Sequence, residues 1–200
     1  EAFPVETPDE GKGFALIGTR GKTSFGPVFG FPQRRKGSDV ADGFSDVGFG
    51  LEVGGFVESY VTPAIRLRAE LKQAIGAHNS LTGDIAADFV LRGKDENIVA
   101  TIGPRVRWGS AKYTRTLFGV TAAESLASGL QAYQPSGGIY AYGVVGGAHV
   151  RLDKNWGLYA YAGYDRLTGD AASSPVITNL GDRNQATAGL LLTRRFRIKR

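Results

Sequence analysis

Hydrophobic and polar residues alternate with a period of two in successive segments of the chain. In the clearest segment, 64–74, one face carries Ile65, Leu67, Ala69 and Leu71, and the other carries Arg66, Arg68, Glu70 and Lys72. A helix has 3.6 residues per turn and would mix these two sets. The alternation therefore predicts β-strands with one apolar face and one polar face.

The same pattern recurs along the chain and predicts about ten strands. They cover 12–20, 24–33, 44–58, 61–75, 81–93, 97–109, 113–121, 139–152, 155–168 and 185–198. Only 122–130 has a helical pattern. The connections 109–112 and 153–155 are rich in turn-forming residues and predict tight turns, whereas 122–138 and 169–184 are long and polar. We expect one all-β domain over residues 1–200.

Alternation alone fits two kinds of barrel, because a soluble carrier points its apolar residues inward and a membrane barrel points them outward. Two further features favour the membrane barrel. Glycine is abundant on the polar face, where bulky side chains would crowd a narrow lumen: Gly48, Gly50, Gly54, Gly143 and Gly147. Aromatic residues near strand ends suit interfacial belts: Phe56, Tyr60, Trp108, Tyr113, Trp156 and Tyr159. The expected fold is an antiparallel transmembrane β-barrel of about ten strands, in a range of 8–12, with short periplasmic turns and longer external loops.

One long connection does not fit the alternation of short turns at one end of the barrel and long loops at the other. The basic connection 34–43 falls on the side opposite to 122–138 and 169–184. The alternation of short and long connections is therefore expected only in the second half of the chain.

Composition excludes several classes of protein. The 200 residues are 42% hydrophobic and 10% aromatic, so disorder is not expected. No window holds eighteen consecutive apolar residues, which excludes a transmembrane helix. The chain has no cysteine, so disulfides and zinc–thiolate sites are excluded. The net charge is +5, but the basic residues are spread along the chain, and we expect no nucleic-acid partner.

The candidate chemistry lies on the polar face. His78 and His149 have no serine or carboxylate at a suggestive spacing, so we expect no catalytic residues, no metal site and no cofactor. The candidate lumen-lining residues are Arg66, Arg68, Glu70, Asp84, Asp88, Arg105, Arg107, His149 and Arg151. They fit either a ladder of paired charges that neutralises the interior or a charged pore lining that selects solutes.

The second half of the chain carries an ordered series of short motifs. They lie at 108–110, 113, 118–121, 124–125, 128–130, 133, 135, 155–156, 164–167, 169–172, 174–175, 188–190 and 195–196. In order and spacing this series resembles the MipA/OmpV family of outer-membrane proteins over residues 98–197. The motif residues in loops are Ser128, Gly129, Tyr133, Pro135, Gly169, Asp170, Ser174 and Pro175.

The resemblance implies a function, since the family is named for a protein that interacts with the murein transglycosylase MltA. It implies a non-enzymatic barrel in the outer membrane of a diderm bacterium, acting as a scaffold that links a murein hydrolase with a murein synthase. A small porin-like solute channel with a basic lumen is the alternative, followed by a soluble carrier and a barrel enzyme.

The chain departs from the family pattern at both ends. Members usually finish at a terminal aromatic residue, whereas four residues follow Phe196 here. The amino-terminal part is short, and we expect that the signal peptide and the opening strand of the intact protein are missing.

Overall fold

The computed structural model describes residues 5–6, 13–32, 34–93 and 97–194, and within them eleven strands form one antiparallel sheet. The strands are β1 (Val5–Glu6), β2 (Gly13–Leu16), β3 (Gly18–Arg20), β4 (Thr23–Gly30), β5 (Gly50–Thr62), β6 (Ile65–Gly76), β7 (Leu81–Arg92), β8 (Ile98–Gly109), β9 (Gly138–Arg151), β10 (Trp156–Leu167) and β11 (Asn184–Arg194). Each strand from β4 to β11 pairs with its sequence neighbours, as in an up-and-down meander. The ladder runs from β1 to β11 and does not close on itself within these residues.

Short helices occupy the connections. They are α1 (Ala111–Phe118), α2 (Ala122–Ser128) and α3 (Gly169–Ser173), with a 3₁₀ turn at Gly37–Asp39 and a π-helical turn at Val176–Leu180. A capping box between Thr121 and Glu124 begins α2, and Gly129 ends it in the left-handed conformation with φ of 75°. Over the described residues, no helix has the length and apolar character needed to span a membrane.

The predicted strand 113–121 is wrong, because this segment forms α1. Its buried residues, Thr114 and Phe118, are four apart, which is a helical spacing. The predicted tight turn at 109–112 is wrong for the same reason, since Ser110 occupies the N-cap position and the helix begins at Ala111. The helical pattern at 122–130 is confirmed by α2. Residue 12, residue 33 and the predicted strand end at 195–198, including Phe196, lie outside the described residues.

Removing that strand changes the sidedness of the first half. All long connections, 31–49, 110–137 and 168–183, lie at one end of the sheet together with the turn 77–80; we call this the long-loop end. The connections 21–22, 63–64 and 152–155 lie at the other end, the short-turn end, together with the end of β7 and the start of β8. The expectation that 34–43 falls on the opposite side was therefore wrong, because the false strand shifted the count by one.

The two faces of the sheet have opposite chemistry. The outward face exposes apolar side chains, among them Leu67 (46% exposed), Ile85 (61%) and Leu190 (69%). The inward face buries charged side chains, such as Asp88 (1%) and Arg105 (3%). A sheet in water has the reverse arrangement, with apolar side chains covered and charges exposed.

The predicted aromatic belts are only partly present. Trp108 and Trp156 lie on the outward face at opposite ends of the sheet. The others face inward or lie in a helix: Phe56 is buried beneath Arg68, Tyr60 and Tyr159 follow the inward positions of β5 and β10, and Tyr113 belongs to α1.

Candidate functional site

A ladder of ion pairs crosses the inward face of β5 to β8. At its centre the carboxylate of Asp88 accepts hydrogen bonds from Arg66 Nη2 and Arg105 Nη1, both at 2.7 Å. The Asp88 side chain has no exposed area, and that of Arg105 has 2%. Arg66 also donates from Nε at 3.1 Å, and these three charge-assisted hydrogen bonds compensate for the removal of the carboxylate from water.

The ladder continues along β6 towards the long-loop end. Arg68 donates to Glu58 at 3.0 Å and to Glu70 at 2.8 Å. Lys72 Nζ then lies 3.1 Å from Glu70 and 3.3 Å from Glu52. The guanidinium of Arg68 also stacks over the ring of Phe56, with Cζ 4.1 Å from its centroid. Cations and carboxylates therefore alternate without a break from β5 across β6 to β8.

A second group joins β7, β8 and β10. Arg107 donates from Nη1 to Asp84 at 3.2 Å and from Nε to Asp165 at 2.9 Å. The contact to Asp165 crosses over β9 at Gly143, where an added Cβ would lie 1.9 Å from Asp165 Oδ1. The predicted crowding of the polar face is thus confirmed at this glycine, because the space above it holds a neighbouring carboxylate.

The structure places seven of the nine candidate lumen residues in these two groups. His149 lies apart, with Nε2 3.1 Å from Thr193 Oγ1 across Gly157. Arg151 is exposed at the short-turn end, outside the ladder. The two groups contain four side chains that were not among the candidates: Glu52, Glu58 and Lys72 in the ladder, and Asp165 in the second group. Together the two groups hold five cations and six carboxylates, which brings this part of the inward face close to neutrality.

Two of the carboxylates that were not among the candidates could have been located from the sequence pattern. Glu52 and Glu58 hold alternate positions with Phe56 on β5, so period two places them on the inward face. Their partners depend on register, which pairs Glu58 with Arg68 and Glu52 with Ala74 next to Lys72. Asp165 carries no such signal, since its partner lies two strands away.

The long connections pack together into a cap at the long-loop end. Two apolar clusters hold it together, one built on Phe118, Ala141, Leu167, Ala171 and Ala172, the other on Phe44, Val120, Leu130 and Val176. Arg35 of the first connection donates to the carbonyl oxygens of Leu117 and Thr116, at 2.9 and 3.1 Å. These are carbonyls of the last turn of α1, which the helix itself leaves unsatisfied.

Three of the eight loop-motif residues, Tyr133, Asp170 and Ser174, make contacts between two connections, and Pro135 makes one within the connection 110–137. Tyr133 donates to the carbonyl oxygen of Asp170 at 2.9 Å, and Ser174 donates to that of Phe118 at 2.6 Å. Asp170 also accepts from the backbone N–H of Ser136 at 2.8 Å and from its hydroxyl. The carbonyl oxygen of Pro135 accepts from Arg115 Nε at 3.3 Å.

The other four loop-motif residues shape local turns. Ser128 donates to Glu124 within α2, and Gly129 ends that helix with positive φ. Gly169 opens α3 with φ of 53°, and Pro175 precedes the π-helical turn. The motif residues therefore build the cap rather than a cluster of reactive side chains.

The Asp170 carboxylate is a titratable group whose hydrogen bonds join two connections of the cap. Hydrogen bonds from the Ser136 side chain and backbone hold its pKa below the ordinary value of 3.8. The carboxylate therefore stays charged to a lower pH than an ordinary aspartate, and it links α3 to the segment before β9.

The comparisons with known proteins agree with the motifs. A sequence model of the family described as "MltA-interacting protein MipA" matches residues 1–196, including the first hundred residues, where the motifs gave no resemblance. Proteins of Escherichia coli (strain K12) and Shigella flexneri, each named "MltA-interacting protein", are 28% identical over 99 residues. The match covers 50% of this chain and 39% of each relative, so the chain spans well under half the length of these relatives. No solved structure matches.

Proposed function

Because the chain belongs to the MltA-interacting protein MipA family, we propose that it is part of a non-enzymatic outer-membrane β-barrel that docks a murein transglycosylase and a murein synthase. The name of the relatives supports the transglycosylase as partner. The inverted distribution of side chains on the sheet supports the membrane setting.

The free energy of apolar burial favours a bilayer against the outward face. Exposing Leu67, Ile85 and Leu190 to water would forfeit the free energy of burying apolar area, about 25 cal/mol per Å². Lipid removes that cost on the outward face, while the inward face keeps its charges among their own partners. The inward face then lines the lumen of the barrel, and the short-turn end faces the periplasm as in other outer-membrane barrels.

The packing of the lumen favours a scaffold over a channel. Five long cationic side chains lie across the inward face and are held by carboxylates, as in the Arg66–Asp88–Arg105 group. Barrels of about eight strands hold only side chains, while those of 16–18 strands leave a water channel. With its cap at the long-loop end, this sheet suits a barrel whose lumen is filled and whose surfaces bind other proteins.

Capture of the partner tests the proposal. The tagged chain, folded in detergent, is mixed with purified murein transglycosylase MltA, and the complex is isolated by the tag. We expect co-elution at a fixed ratio with the folded chain and none with the same chain after boiling, which keeps the sequence but loses the sheet. Folded bait that captures no transglycosylase would contradict the scaffold function.

Conductance tests the competing channel function. We expect no steady current from the chain in planar bilayers, because the ladder occupies the lumen. A large, stable conductance would contradict the closed lumen and favour the solute channel.

A further inference from the structure

The net charge of the described side chains is concentrated at the short-turn end. The ion-pair groups hold five cations and six carboxylates, and the long-loop end holds seven cations and six carboxylates. The short-turn end carries a single described carboxylate, Asp153, and six exposed cations: Arg20, Lys22, Arg92, Arg151, Lys154 and Arg194. Residues 94–96, which lie outside the described residues, are one lysine and two carboxylates in the sequence.

Four of these cations follow one another along the strand ends, and we call them the basic strip: Arg92, Arg151, Lys154 and Arg194. Arg92 donates to the carbonyl oxygen of Pro63 between β5 and β6. The backbone N–H of Arg151 donates to Asn97 just before β8, at 2.7 Å. Lys154 lies in the turn that leads into Trp156, whose register partner is Arg194. Arg92 and Arg151 hold inward positions of β7 and β9, and Arg92 stacks over the inward ring of Tyr60. The strip therefore meets the apolar face at Lys154 in the turn and at Arg194 on the outward face of β11.

The strip begins where the apolar face ends. Arg194 follows Leu190 and Leu192 on the outward face of β11, at two-residue spacing. Its guanidinium Cζ lies 5.0 Å from the centroid of the Trp156 ring. A tryptophan beside cations at the edge of an apolar band is the arrangement found at the headgroup level of a membrane.

We propose that Lys154 and Arg194, where the basic strip meets the apolar face, bind the phosphates of anionic phospholipids at the membrane surface; this rests on the proposed function, since a bilayer must first cover the outward face. Arginine and lysine near an anionic surface each contribute attraction that is screened by salt. Arg194 and Trp156 continue the apolar face itself, so the phosphates they meet belong to lipids lying against the sheet. An acidic macromolecule would bind beyond the turns.

The two tryptophans of the chain make the proposal measurable. Trp156 lies at the strip, while Trp108 lies on the same face near the end of β8 at the long-loop end. The full chain carrying Trp108→Phe reports on the strip alone, and the chain carrying Trp156→Phe reports on the opposite end. Each is reconstituted in mixed vesicles of phosphatidylglycerol and phosphatidylcholine, with acyl-chain bromine placed on one lipid at a time as the quencher.

We expect brominated phosphatidylglycerol to quench Trp156 with an apparent affinity about two- to fivefold above that of brominated phosphatidylcholine. The preference should shrink at high salt, and Trp108 should show none. The double variant Lys154→Gln, Arg194→Gln should reduce the preference at Trp156. The control Lys36→Gln, Lys112→Gln, which neutralises two exposed cations of the long-loop end, should leave it unchanged.

The outcomes separate this inference from its premise. Equal quenching of Trp156 by both lipids would overturn the lipid site and leave the membrane sheet intact. If, in that case, soluble polyglutamate shifts Trp156 emission, the strip binds acidic macromolecules instead. Failure of both lipids to quench either tryptophan would overturn the membrane setting and this site with it.

Discussion

Asp165 of β10 reaches across Gly143 of β9 to Arg107 of β8, with its Oδ2 2.9 Å from Arg107 Nε. The contact joins two strands that share no backbone hydrogen bond, and only a residue without Cβ leaves room for it. Glycine on the polar face thus serves long-range charge pairing, in addition to relieving crowding.

Gly143→Ala should therefore destabilise the sheet. The new Cβ would lie 1.9 Å from Asp165 Oδ1 and 2.7 Å from the Tyr164 carbonyl oxygen, so the carboxylate must move away from Arg107. We expect a loss of about 1–3 kcal/mol in the free energy of unfolding, measured by urea titration of the chain folded in vesicles. Gly146→Ala on the other face is the control, since its added Cβ would lie 3.6 Å from the nearest atom, the Thr101 carbonyl oxygen. Equal effects of the two variants would contradict this role of Gly143.

The centre of the ladder should be more sensitive than its edge. Asp88→Asn removes the charge that compensates both Arg66 and Arg105, and we expect a loss of about 3–5 kcal/mol in unfolding free energy. Asp84→Asn is the matched control, because its side chain is 29% exposed and Arg107 keeps Asp165. The same urea titration compares them. A larger loss from Asp84→Asn would place the critical charge pairing elsewhere.

The cap should loosen in acid through Asp170. Its pKa is lowered in the folded state, so the carboxylate stabilises the cap at a pH above its ordinary pKa of 3.8. This stabilisation decreases as the pH falls below that value and is lost once the pH passes the folded-state pKa. Hydrogen exchange at residues 133–137 and 169–174 should rise over this range. In Asp170→Asn the exchange should already be raised at neutral pH, with a weaker acid response; an unchanged acid response would contradict the assignment.

The sequence predicted the long strands well because each carries its own alternation. In β6 apolar and charged side chains alternate strictly from Ile65 to Lys72, and in β7 Asp84, Asp88 and Arg92 all fall on the same face. The error at α1 has a physical cause. Tyr113, Thr114 and Thr116 have β-branched or aromatic side chains that favour strands, and only burial of Thr114 and Phe118 in the cap decides for a helix.

The sequence could predict which face of a strand each side chain of the site occupies, because that depends on the strand alone. The alternation located Arg66, Asp88 and Arg105 on one face, but partner choice depends on register and on side chains that cross a strand. The cap depends on contacts between distant connections, such as Arg35 with the last turn of α1. No pattern within a single segment contains that information.

Cysteine labelling tests the corrected sidedness in a chain that has no native cysteine. Ser38→Cys lies in the 31–49 connection, and Ser173→Cys ends α3; both are exposed at the long-loop end. We expect an impermeant maleimide to label both on intact cells and to leave Lys154→Cys unlabelled until the outer membrane is opened. Labelling of Ser173→Cys without Ser38→Cys would indicate that 113–121 is a membrane strand after all. Labelling of Lys154→Cys alone would indicate the opposite orientation of the barrel in the membrane.

The central claim is that lipid covers the outward face, and spin-label accessibility tests it most directly. Leu67→Cys on β6 and Leu126→Cys on α2 replace leucines that are both exposed, at 46% and 91%. With nitroxide labels in vesicles, we expect the label at position 67 to be relaxed mainly by oxygen, which concentrates in the bilayer. The label at position 126 should be relaxed mainly by a water-soluble nickel complex. Equal access of nickel to both positions would contradict the membrane-embedded sheet.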